Sequence, residues 1–163
     1  MSANTRMSLT NRRMTPIKGQ AAFLPNQPIL HTCVVSPAET EVVTPGDVMT
    51  FDTTQTALKD LIVLKKAADT DIPVGVVVYN AIQTGFVANE RISIFDTNAY
   101  VYMEAGAPNL TAGTEVTVND DGQVIAATAG KGVVGVVYTS PAQIGDLIVI
   151  KVKQGQVPAA SGS

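Results

Sequence analysis

The chain has 163 residues, 45% of them apolar and 15% charged, with a net charge of −3. That composition excludes a disordered chain and allows one domain with a sizeable core, burying roughly two thirds of the surface that the unfolded chain exposes. No apolar run reaches the ~18–20 residues of a membrane helix, so no membrane partner is expected. The opening MSANTRMSLTNRRMTP lacks the continuous apolar stretch of a signal peptide, so synthesis in a cytosol without export by the general route is expected.

Charge is spread unevenly along the chain. Residues 1–38 hold Arg6, Arg12, Arg13 and Lys18 and no acid, a local charge of +4, whereas the remainder carries −7. Pro16, Pro25, Pro28 and Pro37 disfavour a helix and keep the backbone extended. Residues 1–37 therefore read as an N-terminal arm. Within it, AAFLPNQPILHT places Phe23, Leu24, Ile29 and Leu30 in a polar run. A solvated linker needs no such groups. Two readings are open: the stretch lies back over its own domain, or it reaches a partner and orders on binding. Four basic groups without interleaved aromatic residues are a weak nucleic-acid footprint, and the body is acidic, so no nucleic-acid partner is expected.

Cys33 is the single cysteine and His31 the single histidine. No internal disulfide is possible, and a reducing compartment fits. In an extended segment the two side chains would point to one side, but no third group is present to orient a nucleophile and base. Cys33 is expected as a small apolar thiol in the first strand and His31 as a surface residue. One Cys and one His also leave zinc short of ligands.

From about residue 38 to 154 the chain is a series of short runs rich in Val, Ile, Thr and Tyr, among them DVMTF, LIVLKK, VGVVVY, RISIF, YVYME, EVTVN and DLIVIKV. Many alternate apolar and polar groups at period two. Turn signals stand between them, including Pro45-Gly46-Asp47, Ala112-Gly113 and Asp120-Asp121-Gly122. This predicts a mainly β fold, a compact antiparallel barrel or sandwich. Residues 53–61 could form a short helical turn, and residues 155–163 a flexible tail.

One phrase is written twice: IPVGVVVYNA at 72–81 and GVVGVVYTSP at 132–141. Around it, residues 44–95 and 111–152 run in the same order, with a Gly turn, a short strand, a variable middle, Val-Gly-Val-Val and a final Ile-rich strand. The arrangement predicts a duplicated unit of about four strands, bridged by DTNAYVYMEAGAPNL, whose copies bury each other's apolar faces. Gly75 and Gly135 would then mark places where a bulge, a bend or a neighbouring backbone needs room.

Chemistry is harder to find. GKGVVG at 130–135 lacks the GxxxxGK[ST] order and the helix of a phosphate loop. NDDG at 119–122 lacks the further ligands of a calcium loop. Acid pairs such as Glu39 and Glu41 or Asp69 and Asp71 lie in polar connections. No catalytic, cofactor-binding or metal-binding residue is assigned, no cofactor is expected, and the chain is not expected to be an enzyme.

The basic arm, TPGDVMTF followed by DIPVGVVV, then MEAGA, AGTEVTV, DG, GVVGVV and GDLIVI in that order, resembles the structural cement proteins that decorate tailed-bacteriophage heads. The resemblance covers roughly residues 40–153. It implies a β-barrel or β-tulip-like body on the outer face of the capsid, a major capsid protein as partner, and a homo-oligomer, with a trimer at local threefold positions favoured. Arg6, Arg12, Arg13 and Lys18 would steer the arm to acidic coat patches, while Phe23, Leu24, Ile29 and Leu30 would anchor it. A head-fibre base or another virion surface protein with a ligand- or glycan-binding role is the alternative, although such a platform usually presents more aromatic residues.

Overall fold

The period-two runs become strands because β-branched side chains at alternate positions can face one core while polar neighbours face solvent. The computed structural model describes residues 16–22, 27–55 and 61–159. These contain ten strands and no helix: β1 Ile29–Val35, β2 Val48–Phe51, β3 Ile62–Lys66, β4 Gly75–Val77, β5 Arg91–Phe95, β6 Tyr100–Glu104, β7 Glu115–Val118, β8 Val124–Ala126, β9 Gly132–Val137 and β10 Leu147–Gln156. The first five close into a barrel in the order β1-β3-β2-β4-β5, and the last five form a sheet ordered β6-β10-β9-β7-β8. The chain is mainly β, with a closed barrel and a second sheet.

The two halves are laid out on one plan. Met49 of β2 pairs with Gly75 of β4, and Val116 of β7 pairs with Gly135 of β9. Val77 pairs with Ile94 of β5, and Val137 with Ile150 of β10. The preceding turns also match. Gly46 and Gly113 both take a left-handed φ, +85° and +90°, and each N–H donates to a carbonyl 2.8 Å away, that of Val77 or Val137. Asn89 and Gly145 repeat the device before β5 and β10, with φ of 69° and 90° and N–H groups donating to Val35 and Ala105.

The strands set the bounds of the repeat differently from the sequence reading. Ile29 opposes Phe95 on β5 as Tyr100 opposes Lys151 on β10, so β6 is the counterpart of β1. The unit has five strands, and the expected bridge supplies the first strand of the second copy. The expected arm likewise supplies β1. Closure is the main difference between the halves. β1 runs parallel to β3 over three residue pairs, Cys33 with Ile62 to Val35 with Leu64, whereas in the second half a single parallel bridge joins Ala105, just past β6, to Val124.

Two cores follow from the alternation. The barrel interior holds Cys33, Val35, Val43, Met49, Leu64, Val74, Val77, Phe86, Ile92 and Ile94. The second core holds their counterparts in the other half, such as Met103, Val124, Val134, Ile148 and Ile150, and it also takes in Val48, Val76 and Phe95 from the barrel's outer face. The halves are therefore joined by a shared apolar core. Of the expected helical turn at 53–61, residues 53 and 54 form a turn, residues 55 and 61 are not helical, and residues 56–60 lie outside the described residues. β10 extends to Gln156, and the N–H of Val157 still donates to Lys131 O at 2.9 Å, so the part of the expected tail up to Val157 is held by the body.

Candidate interaction surfaces

Eight residues were expected to carry binding. Arg6, Arg12, Arg13, Phe23 and Leu24 lie outside the described residues. Lys18, Ile29 and Leu30 are engaged by the chain itself. Ile29 and Leu30 belong to β1, opposite Phe95 and Ile94, and pack partly buried against the two cores, because the strand needs them to complete the barrel wall. The Lys18 ammonium lies 3.8 Å from Asp47 Oδ1.

Lys18 is held there by the path of its neighbours. The Gly19 N–H donates to Tyr102 O at 2.8 Å, the Tyr102 N–H to Gln20 O at 2.9 Å, and the Ala22 N–H to Tyr100 O at 2.9 Å. The segment thus adds a short antiparallel rung to the outer edge of β6. The Tyr79 N–H donates to Gly19 O at 2.8 Å and ties the same segment to the barrel. Gly19 has φ +78°, and a side chain there would strike the backbone of Pro45 and Gly46. Sheet-edge pairing is a mode of partner recognition, and here the chain pairs with itself.

Beside Lys18 a cleft of about 400 Å³ opens between the halves, lined by Glu41, Asp47, Lys66, Asp69, Asp120 and Asp121 among others. The Lys66 ammonium lies 3.2 Å from Glu41 and 3.5 Å from Asp47. Partial burial pulls its pKa down, but Asp47 and Glu41 outweigh this and hold it above the ordinary lysine value. Lys131 pairs with Asp69. Asp120 and Asp121 sit on a tight turn, in which Asn119 Oδ1 accepts from the N–H groups of Asp121 at 3.1 Å and Gln123 at 2.9 Å. The Asn119 side-chain oxygen is thus spent on the turn itself. Among the described residues no group of three or more His, Cys, Asp or Glu side chains is arranged to hold a metal ion.

The Cys33 and His31 side chains do not meet. A register shift between Leu30 and Cys33 puts a bulge in β1, so Cys33 faces the core, fully buried, and His31 faces solvent, its Nδ1 2.9 Å from Ser93 Oγ. Burial, and then the Asp96 charge, push the Cys33 thiol up to about 11. It is a thiol, not a thiolate, at neutral pH. Sequence reasoning missed one polar cluster altogether. Asp52, buried at the mouth of the barrel, accepts from Ser36 Oγ at 2.5 Å and from Thr54 Oγ1 at 2.6 Å and N–H at 3.0 Å. The Ser36 hydroxyl, then that of Thr54, hold its carboxyl below the usual range against the opposing effect of burial. Ser36 and Asp52 are sixteen residues apart, with no spacing signal between them.

Several large apolar side chains remain on the surface. Ile82 is 95% exposed, and Val42, Phe51, Ile72, Val87, Tyr138 and Ile144 are each at least half exposed. Ile82 and Val87 lie on the β4–β5 connection, and Ile144 on the corresponding β9–β10 connection.

No family model and no curated protein matches the sequence. Among solved structures, the head fibre gp8.5 N base of bacteriophage phi29 superposes with a TM-score of 0.53 at 17% identity, over 79% of this chain and 98% of that one. The two share a fold. At that identity the likeness is architectural, and it spans nearly the whole of the phage domain.

Proposed function

We propose that this protein is a non-enzymatic structural protein of a tailed-bacteriophage virion that binds the outer face of the capsid through the major capsid protein and stabilises the coat lattice. The observation that carries the reading is the shared fold with a phage head-fibre base over almost the full length of that domain. The exposed Ile82, Val87 and Ile144 give the body contact groups, and many weak contacts on a repeating shell add through avidity. The basic residues Arg6, Arg12 and Arg13 would steer the arm to acidic coat patches. A trimer at local threefold positions suits such a lattice.

The same superposition favours a second reading, that the domain is the base on which a head fibre stands. The two differ in what happens to the shell. Purified mature heads heated with and without saturating protein separate them: a lattice stabiliser raises the temperature of head disruption, whereas a fibre base binds and leaves it unchanged. Heads that neither bind the protein nor change their melting would remove both.

A further inference from the structure

The internal repeat supplies a control within one chain, because a departure from the shared plan that the fold does not require is a candidate for function. Three departures converge on one cavity in the first half. The β4–β5 connection, residues 78–90, has thirteen residues and its counterpart, 138–146, has nine, so the first loop is four longer. The bulge between Leu30 and Cys33 has no equivalent between Val101 and Met103, and it turns His31 outward. Arg91 and Ser93 on the outer face of β5 replace Leu147 and Val149 of β10.

Together these make a cavity of about 360 Å³ lined by His31, Tyr79, Asn80, Gln83, Arg91 and Ser93 among others. It lies at the small end of the ~300–1,000 Å³ range of ligand sites. Its one permanently charged lining group is a cation, Arg91. Arg91 is exposed and forms no ion pair among the described residues, and no acid lines the cavity. A guanidinium without a carboxylate partner presents a two-pronged donor shaped for one. Gln83 Nε2 is engaged by Gly85 O at 3.1 Å and by the Glu90 carboxylate at 3.0 Å, which leaves the Gln83 oxygen as an acceptor, and Asn80 Oδ1 accepts from the Ile82 N–H at 2.9 Å, which leaves its amide nitrogen as a donor. With the His31–Ser93 pair these supply the mixed donors and acceptors that hydroxyl groups need, and Tyr79 adds a ring. We infer that this cavity is a binding site for a carboxylated sugar, a hexuronic acid unit, with Arg91 on the carboxylate and His31, Ser93, Asn80 and Gln83 on the hydroxyls. This goes beyond capsid attachment and does not depend on it.

The chain has a single histidine, which makes the His31 ring a site-specific NMR reporter in the full-length protein. Titration with glucuronate or galacturonate to ~10 mM should move its ring signals saturably, with dissociation in the ~1 mM range. Glucose and acetate at the same concentrations should move them at least fivefold less. Arg91→Gln, a surface change, should leave the spectrum folded and abolish the response. Removing residues 80–83, to match the shorter loop of the second half, should do the same. An equal response to acetate would reduce the cavity to a simple anion site and overturn the sugar assignment. A stronger response to an aspartate-rich peptide would overturn it in favour of a protein partner. No response to either uronate would also overturn it.

Discussion

Gly75 and Gly135 lie where β4 and β9 pass closest to the strands beside them. A Cβ on Gly135 would come within 2.5 Å of the Lys151 carbonyl oxygen and 3.0 Å of Ile150 Cδ1, and one on Gly75 would meet the Phe95 carbonyl and Ile94 in the same way. A backbone oxygen in a sheet cannot step aside without breaking the ladder, so Gly135→Ala is expected to cost about 1–3 kcal/mol. Denaturant unfolding would measure it, and an unchanged midpoint would refute the steric argument. Asp52 gives a prediction in pH. Its folded pKa is depressed by Ser36 and Thr54, so its contribution is fully present above the unfolded value of about 3.9 and is lost as pH falls through the folded value. Asp52→Asn should be less stable at pH 7, by about 1–2 kcal/mol for weakened hydrogen bonds to a charge. The gap should narrow as pH drops below about 4, and melting temperatures of both proteins across pH 2–8 check the sign.

The strands show which signals a sequence carries and which it hides. The Val-Gly-Val-Val phrase was legible because β4 and β9 have the same neighbours at the same register. β1 and β6 do the same job as each other, yet ILHTCVV and YVYME share no visible text. One reason is the bulge, which inserts a residue and breaks the alternation that would align them. Barrel closure was not legible either, since parallel pairing of β1 with β3 joins segments about thirty residues apart and leaves no hairpin signature. The arm and β1 share one signal for a related reason: prolines speak of extended backbone, and β1 is extended backbone too. Truncation separates the parts. A chain lacking residues 1–15 keeps every described strand and the rung at 19–22 and should melt above one lacking residues 1–30. Removing residues 1–30 takes that rung and the first two residues of β1, and should lower melting by at least several degrees. Equal melting of the two truncated chains would contradict the pairing of residues 19–22 with β6.

At the scale of the whole molecule, the shared core decides how the halves behave. Val48, Val76 and Phe95 leave the barrel's outer face to join the second core, and all three are nearly fully buried. Phe95→Ala should therefore destabilise the chain by about 3–5 kcal/mol. It should do so without splitting the transition, with calorimetric and van't Hoff enthalpies equal in both proteins. Two resolved transitions in the unmutated chain would mean that the halves fold independently.

The joined body also frames the proposed role, as it presents apolar loops while the basic residues of the arm sit apart in sequence. The measurement that tests this most directly is co-sedimentation with mature empty heads of the phage that the proposal takes as the source, at low and high salt, using the full chain and the chain lacking residues 1–15. Saturation at a fixed ratio to coat subunits is expected, with binding weakened at high salt for the full chain and weaker throughout without Arg6, Arg12 and Arg13. Absence of binding to mature heads at either salt concentration would contradict the proposal.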